Sequence, residues 1–174
     1  MTKIHSIAAA ILAVACATGA QAQNRTAMDN GMYGEIGYSQ VKVTGAGGTG
    51  KPDAVRFLIG SELQKGLALE AMYMTTISKD SRVGYDASVS AYGIFLKPKM
   101  ALTDNTDVFA RVGATRANIT AATGGSHKGN DLAYGLGIQT NFSKSVYGQF
   151  DYMNTYERSG VAAKGYTLSL GTRF

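Results

Sequence analysis

Residues 131–142 read DLAYGLGIQTNF, from Asp131 to Phe142, and this stretch decides the fold. Leu132, Tyr134, Leu136, Ile138 and Phe142 fall on one side of a period-two pattern. Ala133, Gly135, Gly137, Gln139 and Asn141 fall on the other. A helix would mix the two sets, and its interior would carry two glycines that each weaken it. The segment is a strand with one apolar face and one small or polar face.

The alternation recurs on both sides of it. Val55, Phe57, Ile59 and Leu63 oppose Arg56, Leu58, Gly60 and Glu62, while Leu67, Leu69, Ala71 and Tyr73 oppose Ala68, Glu70 and Met72. Val108, Ala110, Val112 and Ala114 oppose Asp107, Phe109, Arg111 and Gly113, and Val146, Phe150 and Tyr152 oppose Tyr147, Gln149 and Asp151. Three more segments, MYGEIGYSQVKV (32–43), SVSAYGIFLK (88–97) and GYTLSLGTRF (165–174), bring the strands to eight. In Ser88–Lys97 both faces carry apolar residues, so the pattern leaves its orientation open.

The connections alternate in character. Gln64–Gly66, Leu102–Thr106 and Ser143–Ser145 are short, whereas residues 44–53, 78–87, 118–130 and 154–163 are longer and rich in Gly, Ser and Ala. The first long one, TGAGGTGKPD, contains the G-x-x-x-x-G-K spacing of a phosphate-binding loop. That loop needs Ser or Thr after the lysine and a helix opening from it. Pro52 follows Lys51, and a strand follows Pro52, so the segment is a hairpin loop and no nucleotide is expected.

The N-terminus is organised differently. Lys3 precedes the apolar run IAAAILAVACATG, and AQAQ then supplies small residues at Ala20 and Ala22. This is the pattern of a cleavable signal peptide over residues 1–22. The apolar run is too short for a membrane-spanning helix, which needs roughly 20 apolar residues. Cys16, the single cysteine, lies inside it, and Ala13 stands where a lipoprotein signal carries leucine. The exported chain is therefore expected to begin at Gln23, with a short periplasmic segment over 23–31 and a barrel over 32–174. Loss of Lys3 lowers the net charge from +5 to +4, a modest excess that does not indicate nucleic acid.

Short turns at one end, long loops at the other and half-apolar strands are the signature of a transmembrane barrel. The chain ends on Phe174, and Tyr166, Leu168, Leu170 and Thr172 share its face. This ending resembles the C-terminal strand of bacterial outer-membrane proteins, and the architecture resembles their small eight-stranded family (OmpA-like, OmpX-like and neisserial surface protein A-like). The resemblance implies an all-β, eight-stranded antiparallel up-and-down transmembrane barrel, integral to the outer membrane. It also implies that Tyr166, Leu168, Leu170 and Phe174 form an assembly signal read by the barrel assembly machinery. A soluble calycin barrel would point its apolar faces inward, and nothing in it would favour a terminal Phe or a loop asymmetry.

A charge in lipid is costly, so Glu35, Arg56, Glu62, Glu70, Arg111, Asp151 and Arg173 are expected to face the lumen and pair there. Arg56 and Glu70, on neighbouring strands, are expected inward with partners available. Such a network either holds the barrel shut or gates a narrow ion-conducting pore. An enzyme is the third reading. The only histidine after the signal segment, His127, lies beside Ser126 in a glycine-rich stretch with Asp131 nearby, and strand neighbours point apart. No cofactor or metal is expected, since one histidine and no cysteine leave only oxygen ligands. Charges in the long loops balance, which leaves Lys42, Arg116 and Lys164 at strand tips as cations at headgroup height. They suit snorkelling or contact with lipopolysaccharide phosphates. The resulting expectation is a structural or surface-interaction barrel that meets lipids and extracellular or host ligands.

Overall fold

A computed structural model describes residues 31–45, 48–80, 87–120 and 126–174. The signal-peptide assignment over 1–22, and nearly all of the 23–31 segment, lie outside the described residues. So do Arg82 and Asp86 of the second long connection.

Nine strand segments form one antiparallel sheet. They are β1 (Met32–Gly45), β2 (Gly48–Gly50), β3 (Asp53–Gln64), β4 (Leu67–Ser78), β5 (Ser88–Ala101), β6 (Thr106–Thr120), β7 (Ser126–Asn141), β8 (Val146–Arg158) and β9 (Val161–Arg173). β2 only folds back on the tip of β1, pairing Val43 with Gly50. The other eight run up and down in chain order, and β1 closes on β9 from Tyr33↔Arg173 to Thr44↔Ala162. Among the described residues, closure pairs each of the eight long strands on both sides, so no open edge of this ring faces lipid, which would not tolerate one.

Lipid dictates the outer surface. Leu136, Ile138, Leu168, Leu170, Ile59 and Ile94 stand outward, 47–67 % exposed. Nearer the outer ends of their own strands, Tyr38, Tyr73, Tyr92, Tyr134, Tyr152 and Tyr166 also point out, as the aromatic girdle of such a barrel does. Tyr152 and Tyr166 touch, with ring centroids 4.7 Å apart.

The orientation left open in the sequence is resolved on β5. Tyr92, Ile94 and Leu96 face lipid, while Val89, Ala91, Phe95 and Lys97 are buried in the lumen. The outer connections also differ from expectation. Residues 154–163 are not a loop: β8 and β9 continue to a two-residue turn, Ser159–Gly160, with φ of 55° and 76°. Two positive φ values match the hand of a tight hairpin turn. Ser126–Asn130 likewise belongs to β7, with His127 opposite Ile119. Composition misled there, because strand tips above the bilayer need no lipid-facing apolar residues.

TGAGGTGKPD is the β1–β2 hairpin and its return. Pro52 O accepts from Val41 N at 3.1 Å, and β3 begins at Asp53, so no helix follows the glycines.

Candidate functional site: the lumen

Inward residues divide the lumen into layers. In its middle, Glu35, Glu70 and Asp151 meet Arg56, Lys97 and Arg111, three carboxylates against three cations. All six are at most 6 % exposed. Arg111 is the hub: it reaches Glu70 at 2.5 Å, Asp151 at 3.0 Å and Glu35 at 3.4 Å. Arg56 donates to Asp151 through Nη1 at 2.8 Å and through Nη2 to Ser169 Oγ at 3.2 Å. Lys97 lies 3.0 Å from Glu70 and donates to Gln149 Oε1 at 3.1 Å. Gln149 in turn donates to Glu35 and accepts from Arg111 at 3.1 Å, so it relays between charges of both signs. Phe109 supplies a ring face 4.5 Å from Lys97 Nζ and 4.8 Å from the Arg111 guanidinium carbon. Buried charges persist only when paired and hydrogen-bonded, and this cluster meets both conditions.

On the periplasmic side, two tyrosines floor the cluster. Tyr33 OH donates to Glu70 at 2.8 Å, and Tyr147 OH donates to Glu35 at 2.9 Å. Their rings meet edge to face at 6.2 Å, and Leu58 and Ala68 complete the layer. Glycine makes room for them. A Cβ on Gly60 would lie 2.3 Å from the Tyr33 ring, and one on Gly171 would lie 2.3 Å from the Tyr147 ring.

On the outer side the lumen is apolar. Val41, Val43, Met72, Met74, Ile119 and Met153 are among fifteen buried residues that pack as one cluster. Between this cluster and the charges, a cavity of about 10 Å³ touches Arg56, Met72 and Thr167. That is space for one water at most. Transmembrane barrel interiors are ordinarily polar, so an apolar outer half is a departure from the type.

Of the seven residues assigned to the network from sequence, Glu35, Arg56, Glu70, Arg111 and Asp151 meet in this middle layer, while Glu62 and Arg173 lie apart from it. Glu62 pairs instead with Lys99 nearer the rim, where its side chain is 30 % exposed. Arg173 sits beneath the floor, over the Tyr147 ring at 4.6 Å and bonded to Asn141. Arg56 lies opposite Met74 in the register, and its carboxylate is Asp151, across the lumen. Lys97 was missed, because β5 gave no clear face; its charge alone, on a strand in lipid, marks it as inward.

At the strand tips, Lys42 and Arg116 point outward and are exposed. Lys164, expected to face outward at headgroup height, pairs with Glu157 at 3.0 Å. That ion-paired hydrogen bond keeps the Glu157 carboxyl below its usual pKa and raises that of Lys164. The Ser126, His127 and Asp131 trio is not assembled. Ser126 Oγ donates to Asn118 Oδ1 at 3.0 Å, and the Asp131 carboxylate accepts the backbone N–H groups of Leu132 and Glu157. Tyr166, Leu168, Leu170 and Phe174 form one outward row on β9 and just beyond it, and Phe174 N donates to Met32 O at 3.0 Å.

Comparisons with known proteins agree with this architecture. Among solved structures, neisserial surface protein A is similar with a TM-score of 0.66 at 15% identity, covering 83% of this chain and 97% of that one. Ail, the attachment invasion locus protein of Yersinia pestis, gives 0.61 at 21%, covering 84% and 100%. The N-terminal β-barrel domain of Pseudomonas aeruginosa OprF gives 0.57 at 12%, covering 80% and 97%. No curated protein matches in sequence. The family model described as "Outer membrane protein beta-barrel domain" matches residues 7–174, so the chain belongs to that family and is an integral protein of the bacterial outer membrane.

Proposed function

We propose that this barrel is a sealed anchor that presents its strand tips and loops for interaction at the cell surface, and that it neither conducts ions nor catalyses a reaction. The observation that carries this reading is the layered lumen. An ion crossing it would have to part an apolar cluster, displace one of six mutually paired charges and pass the Tyr33–Tyr147 floor. Each charge already has its partner, so a permeating ion gains nothing that offsets its own desolvation. An eight-stranded barrel is just wide enough for its side chains to fill, which favours the closed reading. Against catalysis stands the hydrogen bonding of Ser126 and Asp131, which engages both in structural contacts.

The competing reading is a narrow porin in which Arg111 exchanges carboxylates to open a path. Planar-bilayer recording on the refolded full-length protein separates the two. The sealed barrel gives no unitary steps at any applied potential, whereas reproducible steps that change in size with Glu70→Gln would establish the porin. In the same proposal residues 1–22 are the export signal, and the exported chain begins at Gln23. N-terminal sequencing of the outer-membrane form tests that assignment.

A further inference from the structure

The wall between β7 and β8 changes character partway along. β7 pairs with β8 from Asn141↔Tyr147 only as far as Tyr134↔Asn154. Beyond that point β7 stays paired with β6 to Ser126↔Thr120, and β8 stays paired with β9 to Arg158↔Val161. The register of β8 against β9 also shifts here, between Asn154 and Tyr156. Side chains span the outer part of this seam in place of a ladder. Asp131 accepts the Glu157 N–H at 2.6 Å with one carboxylate oxygen and the Leu132 N–H at 2.9 Å with the other. Arg158 Nη1 donates to Asn130 O at 3.2 Å, and Thr115 Oγ1 donates to Thr155 O at 2.7 Å.

A second carboxylate closes the same corner. Glu157 accepts from Asn154 Nδ2 at 2.6 Å and pairs with Lys164 at 3.0 Å. Asn154 is 3 % exposed, and its Oδ1 is buried with no hydrogen-bond partner among the described residues. Its side chain is therefore held through Nδ2 alone, by Glu157 and by Tyr134 Oη at 3.1 Å.

The lumen carboxylates provide the contrast. Glu35, Glu70 and Asp151 are buried among Arg56, Lys97 and Arg111, whereas Asp131 is half-buried and Glu157 exposed, open to protons from outside water. The other titratable or charged groups on the strands packed at this seam are Arg116 on β6, His127, Lys128 and Tyr134 on β7, Tyr156 and Arg158 on β8, and Lys164 on β9. Arginine, lysine and phenol groups keep their charge state throughout the acid range, so His127 is the one further group there that takes up a proton.

We propose that the outer β7–β8 seam is an acid-released latch: when Asp131 takes up a proton, the Glu157 amide loses its acceptor and the β8–β9 tip parts from β7. A carboxylate accepts a hydrogen bond far more strongly than a neutral carboxyl group does. No ladder bond across the outer seam stands in for the lost one, because the β7–β8 register has already ended. The ties made by Arg158 and Thr115 do not titrate in acid, which confines the opening to the tip. Ala133 and Tyr156, at the outer end of the apolar cluster, flank the part that opens. The ladder from Tyr134↔Asn154 downward is untouched. The inference concerns the wall beyond the charge layer and does not rest on the lumen being sealed, so conductance results do not bear on it.

The test is amide hydrogen exchange of the folded, isotope-labelled protein in lipid nanodiscs, read residue by residue by NMR. Rates are corrected for the intrinsic pH dependence of exchange and followed from about pH 7 to about pH 3, across the ordinary carboxylate range. Protection of the Glu157 amide is expected to fall at least ~10-fold in acid, as suits the loss of one hydrogen bond to a charged acceptor. Phe150 and Tyr152, in the ladder below, should keep theirs. Asp131→Asn retains an acceptor oxygen that takes up no proton, and it should abolish the step. His127→Gln and Glu157→Gln should both leave the step in place, the latter because the backbone amide at 157 remains. Heat-modifiable gel migration establishes that each variant is folded, and the wild-type profile decides whether the step exists even where a variant fails to fold. Protection of Glu157 that is constant with pH overturns the proposal, and so does a step that survives Asp131→Asn or disappears in His127→Gln or Glu157→Gln. A parallel loss at Phe150 and Tyr152 also overturns it, because the whole wall would then be unfolding.

Discussion

The two halves of the lumen reach the same end by opposite chemistry. The outer half is filled by Val41, Val43, Met72, Ile119 and their neighbours, which need only shape and the exclusion of water. The middle is filled by six ionised groups that need one another. Apolar packing tolerates a one-carbon change by local adjustment, whereas a paired charge tolerates no loss of its partner. In the proposed sealed barrel the apolar half also protects the charged one, by keeping water from the ion pairs on the outer side. Residues in both layers are buried to the same degree, so tolerance to substitution along this lumen is expected to follow layer and chemistry rather than burial.

The largest effect is expected at the hub. Arg111→Met keeps much of the side-chain volume but leaves Glu35, Glu70 and Asp151 facing only Lys97 and Arg56. Breaking a buried pair costs about 3–5 kcal/mol, which urea unfolding in lipid vesicles would register. A loss below about 1 kcal/mol would mean that water reaches the cluster, since exposed pairs are worth no more.

Leu69→Arg, one residue from Glu70 but on the lipid side, is expected to cost about 2–4 kcal/mol if it lies at the bilayer midplane. The cost should appear as reduced insertion yield, while Glu70→Gln inserts and then unfolds at lower urea. The reverse pattern would invert the inside and outside of β4. In the apolar half, Ile119→Val removes one methylene from a fully buried side chain and should cost about 0.5–1.5 kcal/mol. A penalty as large as that at Arg111 would erase the distinction between the layers.

At the rim, Glu157→Gln should change stability by less than about 1 kcal/mol, because the pair with Lys164 is half exposed. The sign with pH follows from the lowered Glu157 pKa. The pair's contribution is present above the ordinary carboxylate value of about 4.3, and it is lost as pH falls through the lowered value. The difference between wild type and Glu157→Gln should therefore vanish in acid.

Most of the barrel was legible because lipid enforces a strict rule on one face. β7 and β9 carry that rule in nearly every residue, and their faces follow from Leu132–Phe142 and Tyr166–Phe174 alone. β5 obeys it less visibly, because Phe95 packs inward beside Leu96, which faces lipid. The inward face of Lys97 is recoverable only by taking its charge as the deciding residue. Partners across the lumen were not legible. Parity fixes the side of the sheet, but the stagger of the closed barrel decides which levels meet, and so Arg56 finds Asp151 on β8. The β8–β9 turn was hidden for another reason: the Ser, Gly and Ala of this segment read as loop composition, although only Ser159 and Gly160 turn while Val161, Ala162 and Ala163 pair as strand with β8.

The central claim, that the charge layer lies in a lumen closed to water-borne solutes, is tested most directly by cysteine accessibility. Cys16 is the only native cysteine, so a Cys16→Ser background carries no other thiol. Ser39→Cys places a near-isosteric thiol at an inward position 1 % exposed, beside Thr167 at the cavity between the two layers. Lys42→Cys places one on the exposed outer rim three residues away. With a membrane-impermeant methanethiosulfonate reagent added to both sides of the reconstituted protein, Lys42→Cys should react to completion while Ser39→Cys stays unmodified. Modification of Ser39→Cys at a rate comparable to that of Lys42→Cys would show an open lumen and contradict the account.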